Sequence, residues 1–221
     1  MTSRRTPLAR VLLALTGLLS MVVLVAVPTA QCLACRAPLT RDDASLVRVF
    51  GELEPSFRWG AYAMLVALVL LIVFVAALGA ELRDIGAGRL AAPVVLVAGA
   101  VLGAGVLVQV LLGLAATIVD DGGGAPVARV VLSVAHGGAF AFAAPLAALA
   151  GAVSVVVVRT RWLPRPIGWA GFVVAGVALA WVTPGIGAVL GMAWLAVLSV
   201  ALAVRGARSA RPEEPVSASR P

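Results

Sequence analysis

Cys32 and Cys35, in the run "QCLACR", are the chain's two cysteines, spaced as a CxxC pair. Such a pair exchanges electrons through a disulfide when one thiol is acidified and a second pair accepts them. No second pair exists here, which favours a local structural bridge or two free thiols. Zinc would need further ligands, and none lies nearby in sequence. Gln109 and His136 carry polarity into long apolar runs. Each is about ten residues, or ~15 Å of helix, from the connecting run "DDGGGAP", so antiparallel helices would set them level. One reading is an interhelical hydrogen bond worth about 0.6 to 2 kcal/mol. The chemical alternative is a proton or cation path, with Asp120 and Asp121 at its outer mouth and His136 titrating below. A haem held by His136 and Met192 is a poor ligand set, and no cofactor is expected. Motifs for a serine nucleophile, a zinc protease, a phosphate loop or a dinucleotide site are absent.

The elements that carry these residues are dictated by composition. Of 221 residues, 62% are hydrophobic and 12% charged, with a mean hydropathy of +1.09. That is more apolar surface than a soluble domain of this size can bury, so a bilayer must cover it. The apolar residues are mainly Ala, Val, Leu and Gly, which lets helices approach closely and argues for a helical bundle over a barrel. The expected class is all-α, a polytopic transmembrane bundle.

Apolar runs place spans at about 8–28, 59–80, 91–119, 128–158, 167–183 and 186–204, the last two divided by "TPG" and the first stopped by Pro28. The basic residues number 17, all arginine. With residues 1–7 in the cytoplasm, twelve fall on inner segments and five on outer ones, so the positive-inside rule supports six spans with both termini inside. The net charge of +7 therefore reads as a topology signal, not as a nucleic-acid surface. The first run, though followed by "PTAQC", is expected to stay as a span and not to be cleaved as a signal peptide.

The outer loop, 29–58, holds Cys32 and Cys35. Thr40 and Asp43 resemble a capping box, and Leu46, Val49, Phe50 and Leu53 follow at helical spacing. They predict a short amphipathic helix lying across the outer mouth, ended by Pro55. The tail, 205–221, has no apolar periodicity and is expected to be disordered. Gly99 with Gly103, and Gly187 with Gly191, form GxxxG pairs that favour close helix packing. Trp59, Tyr62, Trp162 and Trp169 flank span boundaries, where aromatic anchors sit.

The stretch "RTRWLPRPIGWAGFVVAGVALAW", 159–181, resembles a recurring segment of uncharacterised bacterial multi-pass membrane proteins. In that family a Leu-Pro-Arg inner loop, two hydrophobic residues and Gly-Trp lead into the penultimate helices. Leu163, Pro164, Arg165, Gly168 and Trp169 match, whereas Pro166 departs from the usual aromatic. The resemblance implies a bacterial inner-membrane bundle and carries no functional residue. The leading functional expectation is a non-enzymatic structural or accessory protein whose partners are the bilayer and another membrane protein. The alternatives are a small transporter through Gln109 and His136, and an extracytoplasmic thiol-redox component at Cys32 and Cys35.

Overall fold

Asp42 starts the longest helix of the molecule: its carboxylate accepts from the Ser45 backbone N–H at 3.1 Å and from the Ser45 hydroxyl at 2.7 Å. This is a side-chain cap of the usual kind, one that satisfies an orphan N–H of the first turn. It is built from Asp42 and Ser45, not from the Thr40 and Asp43 box expected from sequence; Thr40 lies outside the described residues. The computed structural model describes residues 7–34, 42–85, 89–119, 124–180 and 184–208. Among these the chain is all-helical, with α1 at Pro7–Ala34, α2 at Asp43–Asp84, α3 at Ala91–Thr117, α4 at Gly124–Thr160, α5 at Arg165–Leu179 and α6 at Pro184–Arg208.

Among the described residues, four segments are long and apolar enough to cross a membrane: Asp43–Asp84, Ala91–Thr117, Phe142–Thr160 and Ile186–Ala207. α5 has only 15 residues and is separated from α6 by residues 180–183, with Pro184 opening α6. Proline at a first helical position loses nothing, because that N–H has no intrahelical partner anyway.

Among the described residues three prolines lie past the first turn of their helices, and two of them overturn expectations. Pro28 does not end α1, and Pro55 does not end α2; Pro145 sits inside α4. An interior proline costs a helix about 3 kcal/mol, through a lost hydrogen bond and a ring clash. Packing outweighs that cost in α2. Phe50 and Phe57 stack across Pro55 with ring centres 5.4 Å apart. Both are buried, together with Leu46, against Ala116 and Val119 of the α3 end and Ala128, Val131 and Leu132 of α4. The segment expected as a separate helix across the mouth is therefore the first part of α2. At 42 residues α2 is about 63 Å long. An exposed ion pair, Asp43 Oδ1 to Arg129 Nη2 at 2.7 Å, joins its start to α4.

Glycine contacts give the packing register. A Cβ placed on Gly79 would meet Leu96, one on Gly99 would meet Val75, one on Gly103 would meet Leu68, and one on Gly113 would meet Ala61. As the α2 number falls the α3 number rises, so the pair is antiparallel. Gly168 against Val157 and Val158 with Gly171 against Ser154, and Gly187 against Ala178 with Trp194 bonded to Ile167, show the same for α4 with α5 and for α5 with α6. Gly17 of α1 faces both Phe74 of α2 and Ser199 of α6, so α1 packs into the seam between them. The main core is filled by Met21, Leu71, Phe74, Leu78, Leu102, Leu149, Leu195 and Leu198. The outer faces carry exposed Leu15, Leu19, Val66, Val69, Val97, Val101, Val173 and Val197. This chain is apolar inside and out.

Candidate functional site

Where α4 meets α5, four residues turn the chain through a cationic corner. α4 closes at Arg161, whose backbone N–H donates to the Val157 carbonyl at 2.9 Å and whose φ is 55°. A left-handed residue is a common way to stop a helix, and glycine is its usual occupant. Thr160 Oγ1 donates to the Val156 carbonyl at 2.8 Å and accepts from the Trp162 backbone N–H at 3.2 Å. Leu163 is buried beneath. Pro164 then caps α5, with Pro166 in its first turn.

α6 is fastened to this corner at two levels. Trp194 Nε1 donates to the Ile167 carbonyl at 3.0 Å. Arg205 Nη1 donates to the Trp162 carbonyl at 2.6 Å, and the same guanidinium stands over the Trp162 ring, 5.4 Å from its centre. A cation held over an indole face and hydrogen-bonded beside it has a fixed orientation.

Between the corner and α6 lies an open groove of about 770 Å³. Leu163, Ala201 and Val204 supply apolar walls, while Arg161, Arg165 and Arg205 supply charge. No carboxylate of a described residue pairs with Arg161 or Arg165. Three guanidiniums around an apolar slot form an anion site with an apolar side. The ion pairs at the other end of the bundle, Arg48 with Glu52, Arg58 with Glu54 and Arg129 with Asp43, are neutralised locally. Arg161 and Arg165 of the corner have no such partner among the described residues.

The residues singled out in the sequence fare differently. Gly99 and Gly103 face Val75 and Leu68 of α2; Gly187 faces the backbone of Ala178, and Gly191 faces Leu146. Gln109 is half-buried in α3. The backbone of His136 lies in α4 and that of Cys32 near the end of α1, but their side chains are outside the described residues. Cys35, Asp120, Asp121 and residues 209–221 are outside them altogether, so neither the thiol pair nor the Gln109–His136 pairing is placed. Among the described residues no group of three or more His, Cys, Asp or Glu stands close enough to hold a metal. The groove was missed because its arginines were read one by one as orientation signals. The available hint was the density of Arg, Trp and Pro in "RTRWLPRP", 159–166.

No family model, no curated protein and no solved structure matches the chain.

Proposed function

We propose that this chain is a multi-pass protein of a bacterial inner membrane, with six helices and both termini cytoplasmic, acting as a non-enzymatic scaffold or accessory partner of another membrane protein. The observation that carries the reading is the outer surface. Large apolar side chains are exposed along α1 to α6 although the core is already filled. Such a surface in water would aggregate, and in a bilayer it is solvated. The interior supports a scaffold over a conduit, because Leu71, Phe74, Leu102, Leu149 and Leu195 occupy the space between the helices.

The test has two parts. Alkaline extraction should leave the protein in the membrane pellet, and a membrane-impermeant thiol reagent should reach Cys32 and Cys35 in intact cells, after reduction if they are bridged. Labelling only in opened cells would reverse the orientation. In-membrane crosslinking should then capture one defined membrane-protein partner, while the purified protein in proteoliposomes shows no solute flux. A selective flux abolished by Gln109→Ala and His136→Ala would replace the scaffold reading with a transporter.

A further inference from the structure

We propose that the groove between the α4–α5 corner and α6 is a binding site for one anionic phospholipid, its phosphate held by Arg161, Arg165 and Arg205 and an acyl chain laid along Ala201 and Val204. The inference rests on the membrane reading above and adds a ligand to it.

Three observations converge. First, three helices change character at one level: the apolar run of α4 ends at Val158 before Arg159, that of α6 ends at Val204 before Arg205, and α5 passes from Arg165 to Ile167. In a bilayer that level is the headgroup boundary, and the exposed Trp169 and half-buried Trp162 sit where aromatic anchors belong. Second, the groove is amphiphilic in the sense a phospholipid requires, with cationic groups and an apolar wall in one slot. A free inorganic anion would use the first and leave the second unfilled. Basic pockets between helices at this depth are a recognised way of holding acidic headgroups. Third, the charge is prepared before any ligand arrives. Arg205 is oriented by the Trp162 carbonyl and ring, and Arg161 occupies a left-handed position that glycine would fill with less strain.

The experiment is native mass spectrometry of the full chain released from detergent, after delipidation and titration with phosphatidylglycerol or phosphatidylcholine. Wild type should retain one phosphatidylglycerol at least tenfold more strongly than phosphatidylcholine. Arg161→Gln/Arg165→Gln should abolish that preference. Arg48→Gln/Arg58→Gln, which removes the same charge at the other end of the bundle, should keep it. Val204→Trp retains every arginine and fills the slot, so it should also weaken retention. Each variant is used only as a monodisperse helical species by gel filtration and circular dichroism. Equal retention of the two lipids by wild type, or an undiminished preference in both groove variants, would overturn the proposal. Glycerol phosphate that binds as tightly as the lipid would overturn the lipid assignment in favour of a soluble phosphate ester. A protein recovered in the soluble fraction of cells would instead overturn the membrane reading, which separates the two failures.

Discussion

Arg205 and Trp162 lie 43 residues apart in the chain yet share a hydrogen bond of 2.6 Å and a cation–ring contact of 5.4 Å. The contact fastens the end of α6 to the α4–α5 corner, so its removal should loosen the corner and leave the rest of the bundle intact. Because the bond is exposed, Arg205→Gln should cost only about 1 kcal/mol. Unfolding in mixed micelles titrated with denaturing detergent measures this. Trp162 fluorescence should shift red well before global unfolding, and a loss above roughly 3 kcal/mol would mean that Arg205 holds more than the corner.

Arg161 offers a way to separate stability from function. A left-handed backbone costs a residue with a Cβ about 1 to 2 kcal/mol and glycine almost nothing. Arg161→Gly should therefore raise stability by about 1 kcal/mol in the same assay while losing the lipid preference. A destabilised Arg161→Gly would show that the side chain carries structural weight.

The two small-residue positions Gly187 and Gly176 should respond oppositely to alanine. A Cβ on Gly187 would stand 2.8 Å from the Ala178 Cα, a backbone atom that moves only with its helix, whereas one on Gly176 meets nothing within 4 Å. Gly187→Ala should cost about 1 to 3 kcal/mol by overpacking. Gly176→Ala should be neutral or stabilising by up to about 1 kcal/mol from helix propensity. Equal effects would contradict the α5–α6 packing described above.

At the far end of the bundle, packing should outweigh charge. The Asp43–Arg129 pair is exposed, at 67% and 46% of the side chains, so Asp43→Asn should cost less than about 1 kcal/mol. Phe50 is 1% exposed, and Phe50→Ala should cost about 3 to 5 kcal/mol. Pro55→Ala restores the missing N–H within a continuous helix and should be no less stable than wild type. A large loss on Pro55→Ala would mean that the proline ring packs an irregularity the chain requires.

Ser154 is fully buried, and its hydroxyl has no hydrogen-bond partner among the described residues. It points at Gly171 of α5, where Trp194 also closes in. A buried polar group left unsatisfied is a cost, so Ser154→Ala should be neutral or stabilising by about 1 kcal/mol. A marked loss on Ser154→Ala would reveal a partner, such as a bound water.

Much of the architecture was readable from single residues. Long apolar runs marked the helices, because hydropathy is a local property. What failed was local reasoning applied to prolines. Pro28 and Pro55 stop an isolated helix, yet both α1 and α2 continue past them, and in α2 the Phe50–Phe57 stack shows tertiary packing on both sides of the proline. The groove was unreadable for the converse reason. Arg161 and Arg165 are near neighbours in sequence, but Arg205 joins them only because α5 and α6 fold back antiparallel, and no local pattern states where α6 ends beside the corner.

The brevity of α5 has a consequence for the lipid around it. Fifteen residues rise about 22 Å, against a hydrocarbon thickness near 30 Å. Its neighbours α4 and α6 are 37 and 25 residues long and meet that thickness comfortably. In a bilayer a helix this short is accommodated by local thinning of the lipid, by snorkelling of flanking residues such as Arg165, or by packing against its longer neighbours. Any such thinning would fall along the helix that opens at the arginine corner, beside the groove lined by Arg161, Arg165 and Arg205.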